Sequence, residues 1–154
     1  MRVPRAALCV CLVVVGLASS LGVDAAYAQS SAGVRAGVSV NPDQFYFGGH
    51  VQTAPLIDRL RFRPNVEIGV GDNVTLVAFN LEFAYMFPSR QRWHVYAGAG
   101  PALNYVVGSN SSDLRGGFNI LLGLEHREGL FVEMKIGAID SPNLKFGVGY
   151  TFHP

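Results

Sequence analysis

From residue 33 onward, apolar and polar residues alternate in runs that turn-forming residues interrupt. Such alternation indicates β-strands with one apolar face, because successive side chains of a strand point to opposite faces. We find no convincing helical spacing of apolar residues after Ser31. The runs are Gly33–Val40, Gln44–Gln52, Leu60–Val70, Val74–Phe87, Trp93–Val106, Arg115–Glu125, Gly129–Ile139 and Leu144–Phe152.

The connections between these runs are short and rich in Gly, Pro, Asn, Asp and Ser, which favour turns. Short connections join antiparallel neighbours, and closing such a meander into a barrel removes both sheet edges. The sequence therefore predicts an all-β fold, an eight-stranded antiparallel up-and-down β-barrel. Pro64 and Pro101 fall within runs, and we expect them at bulges or rims because proline cannot donate a ladder hydrogen bond.

The first 28 residues have the organisation of a secretory signal peptide. Arg2 and Arg5 precede a long apolar run, and Ala26 and Ala28 form a small-x-small cleavage site. An uncleaved anchor helix is the alternative, because the apolar run is nearly long enough to span a membrane. We expect residues 1–28 to be removed and residues 29–154 to form the barrel domain.

The distribution of polarity between the two faces of each run predicts the surroundings of the barrel. One face of Val74–Phe87 includes Val77 and Phe79, whereas the opposite face includes Asn80 and Glu82. A soluble barrel encloses its bulky apolar side chains, whereas a membrane barrel turns them toward lipid and keeps polar side chains inside. A continuous apolar exterior could not remain in water, so the sequence predicts a transmembrane barrel.

The outward aromatic residues are expected to form two bands around an aliphatic belt, which is typical of membrane barrels. The band near the chain termini comprises Phe62, Tyr85, Phe87, Trp93, Tyr150 and Phe152. The band at the opposite end comprises Phe45, Phe47, Tyr105, Phe118 and Phe146.

With these features the chain resembles the small outer-membrane barrels of the OmpA transmembrane-domain and OmpX kind. The most specific part of the resemblance is the last run, in which Lys145, Gly147, Tyr150 and Phe152 look like the signal that the outer-membrane assembly machinery reads. Two residues follow Phe152, and the connections are shorter than the external loops that this family often carries. The resemblance implies a Gram-negative outer-membrane location, contact with outer-membrane lipid and the assembly machinery, and a structural or interaction role without catalysis or a cofactor.

The interior of an eight-stranded barrel is only wide enough for its own side chains. The charged and histidine side chains that we expect in an interior network are Arg35, His50, Arg61, Arg63, Glu67, Glu82, Glu133, Lys135 and Lys145. Their mixed signs predict internal ion pairs, because buried charges must be paired. We expect Glu82 to pair with Arg61 or Arg63, and the alternative to a packed plug is a narrow ion path.

Other functional classes receive less support from the sequence. The net charge of +1 without a charged block gives no indication of a nucleic-acid partner. The four histidines lie on separate segments without metal-ligand spacing, and both cysteines precede the expected cleavage site. A periplasmic lipocalin-like binder of a small apolar ligand and a lipid-modifying outer-membrane enzyme remain the alternatives. The first would need an apolar interior, and the second a lipid-facing nucleophile and base.

Overall fold

The computed structural model describes residues 30–71, 74–108 and 111–153. The expected signal segment, with Ala26 and Ala28, lies outside these residues. No helix in the described ranges is long and apolar enough to cross a membrane. The strands are β1 (Ser31–Val40), β2 (Gln44–Gln52), β3 (Leu60–Gly71), β4 (Val74–Met86), β5 (Trp93–Gly108), β6 (Ser112–His126), β7 (Leu130–Ile139) and β8 (Leu144–Phe152).

Each strand pairs antiparallel with the next, and β1 pairs with β8 to close the barrel. This confirms the predicted fold class. The main difference lies in the β5–β6 hairpin, where Val107 pairs with Ser112 in a segment expected to be a connection. The ladder therefore extends through residues whose types favour turns, because backbone pairing within a hairpin outweighs local propensity.

Neither proline lies at a bulge or a rim, so that expectation is wrong. Pro64 faces Leu81 within β3, and Pro101 faces Phe118 within β5. The register between β4 and β5 is the same on both sides of Pro101, where pairs are missing only between Asn80 and Phe83. At both prolines the pairing with one neighbouring strand is interrupted without a register shift, because the β2–β3 ladder ends at His50 and Asn65 and the β4–β5 ladder resumes in register after Pro101.

The two ends of the barrel differ in the connections and hairpins that they contain. The end at which Ser31 and Phe152 lie is called the terminal end here, and the opposite end the far end. At the terminal end, residues 53–59, 87–92 and 127–129 join consecutive strands. The hairpin of β5 and β6, with strands of 16 and 15 residues, extends toward the far end.

The outer surface of the barrel is covered by large apolar side chains. Phe45, Phe47, Tyr150 and Phe152 are between 40% and 56% exposed, as strand alternation predicts for outward positions. Outward rings also contact each other at the terminal end, with centroid distances of 5.2 Å for Tyr150–Phe152 and 5.3 Å for Tyr85–Phe87. The predicted outward orientation of these aromatic residues is confirmed.

Candidate functional site

Seven charged side chains from five strands are buried together inside the barrel. Strand alternation places them there, since each occupies an inward position of its strand. We call this group the luminal cluster; it comprises Arg35, Arg63, Glu67, Glu82, Glu133, Lys135 and Lys145.

Glu67 joins three cations from three strands. Lys135 and Lys145 each donate from Nζ to its carboxylate, at 2.8 Å to Oε1 and to Oε2. Arg35 donates from Nη1 to Oε1 at 3.3 Å. Since Glu67 is the anion shared by β1, β7 and β8, its charge holds together the part of the barrel where the first and last strands close.

Glu133 is the second hub of the cluster. Its Oε1 accepts a hydrogen bond from Arg35 Nη1 at 3.0 Å, and its Oε2 accepts one from the hydroxyl of Tyr96 at 2.7 Å. Lys135 Nζ lies 3.6 Å and Arg63 Nη1 3.7 Å from the same carboxylate. Arg35 thereby links the two hubs, because it contacts Glu67 and Glu133 with the same nitrogen.

Glu82 does not pair with Arg61 or Arg63, although Arg63 faces it in the β3–β4 register. Its ion-pair partner in the described chain is Lys135, with Nζ 2.7 Å from Oε1. The prediction is wrong because it placed the partner on the adjacent strand, whereas the closed lumen brings Lys135 of β7 opposite Glu82 of β4.

A chain of amides continues from Glu82. Asn65 Nδ2 donates to Glu82 Oε2 at 2.7 Å, and Asn80 Nδ2 donates to Asn65 Oδ1 at 2.7 Å. Asn119 Nδ2 then donates to Asn80 Oδ1 at 2.9 Å. Each of these three bonds is donated in the direction of the carboxylate, which stabilises its charge without another cation, and Asn65 Nδ2 also donates to Arg63 O at 3.2 Å.

Arg63 is held by aromatic rings more than by anions. Its guanidinium lies 4.8 Å from the ring centroid of Tyr96 and 5.0 Å from that of Phe131. Its side-chain nitrogens make no hydrogen bond within the described ranges. Phe131 was not among the predicted interior residues, although it has the same strand parity as Glu133 and the alternation extends to it.

His50 and Arg61 lie outside the luminal cluster. A ring nitrogen of His50 is 3.1 Å from Thr151 Oγ1, and the ring meets Phe131 edge-on at a centroid distance of 5.3 Å. Arg61 is half-buried and lines a pocket at the terminal end. The structure thus joins seven of the nine proposed network residues and places the other two toward the terminal end.

The residues of the expected assembly signal divide between the two faces of β8. Lys145 is buried in the luminal cluster, whereas Tyr150 and Phe152 point outward. A Cβ at Gly147 would lie 2.2 Å from the hydroxyl oxygen of Tyr46. Glycine at this position therefore leaves room for an inward tyrosine, independently of any role in assembly.

We expect Gly123→Ala to destabilise the barrel by about 1–3 kcal/mol, the usual cost of overpacking. Its Cβ would lie 2.3 Å from Cζ of Tyr96, and Tyr96 cannot move away without losing its hydrogen bond to Glu133. Gly116→Ala on the same strand is the matched control, because no atom of the described residues lies within 4 Å of its Cβ position. Equal urea unfolding curves for both variants in detergent would contradict a tightly filled lumen.

The carboxylates of the luminal cluster are paired within the described residues. Its three carboxylates all accept hydrogen bonds from side-chain donors, and no described His, Cys, Asp and Glu residues group in a way that could hold a metal ion. Moving an ion through the cluster would separate buried ion pairs, which is costly in a medium of low polarity.

Comparison with known structures supports the fold assignment. The chain is similar to the N-terminal β-barrel domain of Pseudomonas aeruginosa OprF, with 18% identity and a TM-score of 0.60 over 80% of this chain and 97% of that chain. It is also similar to Neisserial surface protein A, with 17% identity and a TM-score of 0.60 over 82% of this chain and 95% of that chain. No family model and no curated protein matches the sequence. The likeness confirms the fold that the resemblance to small outer-membrane β-barrels implied.

Proposed function

We propose that this protein is an outer-membrane β-barrel with a structural or interaction role, and that its filled interior serves as a plug. The observation that carries the proposal is the inverted distribution of polarity. Ionised side chains are buried in the lumen, whereas Val, Leu, Ile and Phe side chains cover the outside. In water this arrangement would expose a large apolar surface, whereas in a bilayer the same surface is solvated by lipid.

The contents of the lumen argue against the two alternatives. A lipocalin-like binder needs an apolar cavity, but Glu67, Glu82 and Lys135 occupy the middle of this barrel with less than 2% exposure. A lipid-modifying enzyme needs a nucleophile and a base on the lipid side. The outward positions of the described strands are dominated by aliphatic and aromatic residues instead.

Cell fractionation combined with a heat-modifiability gel tests the proposal. We expect the protein in the outer-membrane fraction, with a change of electrophoretic mobility on boiling because the folded barrel resists detergent at room temperature. A soluble periplasmic protein without heat modifiability would overturn the membrane assignment. In planar bilayers we expect no steady, large conductance, since a plugged lumen leaves no water-filled path.

The same fractionation tests the final strand. We expect Phe152→Ala to lower the amount of protein in the membrane more than it lowers the stability of protein refolded in detergent, because assembly machinery would read this residue before folding is complete. Phe45→Ala is the matched control, since Phe45 and Phe152 are 56% and 55% exposed. Removal of His153 and Pro154 should leave assembly intact. Normal accumulation of Phe152→Ala would refute the targeting role.

A further inference from the structure

A polar pocket opens at the terminal end of the barrel, separate from the luminal cluster. It has a volume of about 370 Å³. We call it the terminal pocket; its cationic and imidazole lining comprises Arg59, Arg61, Arg127, His94, His126 and His153. Met86 also lines it and packs against the buried cluster of Ala84, Tyr96 and Leu121. Tyr96 of this cluster also donates from its hydroxyl to Glu133, so these side chains lie between the pocket lining and the luminal cluster.

The arginines of the terminal pocket differ from those of the lumen in having no anionic partner. Arg59, Arg61 and Arg127 make no side-chain hydrogen bond or ion pair with any residue in the described part of the chain. Arg61 Nε is also buried and has no acceptor among the residues that the structure describes. Three guanidinium groups that line one pocket and make no ion pair among the described residues form an arrangement that attracts anions.

One buried carboxylate accompanies these cations. Glu125 is 4% exposed, its Oε1 lies 4.0 Å from His153 Nε2, and its Oε2 has no hydrogen-bond partner in the described ranges. A bare anion would be repelled by this oxygen, whereas an ester with a hydroxyl beside its anionic group could donate to it. The pocket therefore presents several guanidinium donors and one carboxylate acceptor.

We propose that the terminal pocket binds a phosphate ester, with the arginines on the phosphate oxygens and Glu125 accepting from a neighbouring hydroxyl. Guanidinium groups match phosphate geometry with paired N–H donors. The volume of the pocket exceeds that of a bare phosphate and leaves room for the esterified group. The ester could be the headgroup of an anionic phospholipid or a soluble phosphate compound. The connection that carries Arg59 also exposes Leu56 and Ile57, at 56% and 71%, which suits contact with lipid.

The intrinsic fluorescence of a tryptophan next to the pocket can report binding at this site. Trp93 is the single tryptophan in the chain, and its ring contacts His126 of the pocket lining at a centroid distance of 4.9 Å. Glycerol 1-phosphate, added to the purified protein in dodecyl maltoside micelles at constant pH and ionic strength, should change Trp93 fluorescence in a saturable manner. Sodium chloride at equal ionic strength should not.

Single substitutions distinguish binding at the terminal pocket from nonspecific attraction of anions to basic residues. Arg61→Gln and Arg127→Gln should each weaken binding by about ten-fold or more, the loss expected for a charge-assisted hydrogen bond. Arg90→Gln is the matched control, because Arg90 lies in the connection at the same end but does not line the pocket. Arg59→Gln, at an exposed position, provides a variant that should fold even if Arg61→Gln does not.

The same titrations identify the source of the ester and can refute the proposal. Micelles containing phosphatidylglycerol should produce the fluorescence change at lower ligand fraction than phosphatidylcholine if the headgroup is the ligand. A response to glycerol 1-phosphate with none to phosphatidylglycerol would identify a soluble ester. No saturable change with either ligand, or equal losses in Arg90→Gln and Arg127→Gln, would overturn the site. Neither result depends on whether the barrel is found in the outer membrane.

Discussion

Replacing Glu67 by glutamine should destabilise the barrel by about 3–5 kcal/mol, the typical cost of removing one partner from a buried ion pair. Glutamine keeps the shape of the side chain but removes the charge that joins Arg35, Lys135 and Lys145. Arg35 and Lys135 retain other carboxylates, whereas the ion pair of Lys145 in the described structure is with Glu67. The loss should appear as a lower urea midpoint for unfolding in detergent or lipid vesicles.

A second substitution identifies the cause of this loss. In the Glu67→Gln background, Lys145→Met should restore part of the stability, because it removes the cation left without an anion. The exposed pair of Asp113 and Arg115, at 2.9 Å, is the control. Asp113→Asn should change the urea midpoint little, since water solvates both groups. If Glu67→Gln and Asp113→Asn had the same effect, the luminal cluster would not be a source of stability.

Arginine in place of Ile120 should destabilise the barrel in lipid vesicles by about 2–4 kcal/mol, the cost measured for cations on the lipid face at the bilayer midplane. Ile120 is 50% exposed and faces Ala99 and Ile136 in the middle of neighbouring strands. The cost arises because the guanidinium must either lose its water or draw water into the hydrocarbon layer.

The matched control is Ile139→Arg. Ile139 is 62% exposed and is the last residue of β7, at the far end of the barrel. At the membrane–water boundary the same substitution should cost only about 0–1 kcal/mol, because the charge reaches the headgroups. The two variants are compared by urea unfolding in vesicles of one lipid composition. Equal stability of both would show that the belt around Ile120 is not surrounded by lipid.

The strands and their faces could be read from the alternation alone. Gln44–Gln52 and Leu144–Phe152 have the bounds that the sequence predicted. Arg35, Glu67 and Lys135 are buried as their inward parity required. These properties are local, because the direction of a side chain in a strand depends only on its position along that strand.

The ion-pair partners of the buried charges could not be predicted from the alternation. Glu82 meets Lys135 rather than Arg63 because the partner is chosen across the lumen, by the stagger of strands that are far apart in the chain. Pro101 causes no register shift for a related reason. The effect of a proline on a strand depends on which neighbouring strand its missing N–H would have faced. Alternation contains no information about either relation.

The lining of the terminal pocket, like the ion-pair partners, could not be predicted from the sequence. Arg59, Arg127 and His153 come from two connections and the end of the chain, and no spacing in the sequence relates them. The period of the pattern by itself determined the strand content, the polar interior and the apolar exterior. The closed tertiary structure decided which charges neutralise each other and which remain free at the terminal end, because only barrel closure brings residues from distant strands within the few ångströms over which ion pairs form.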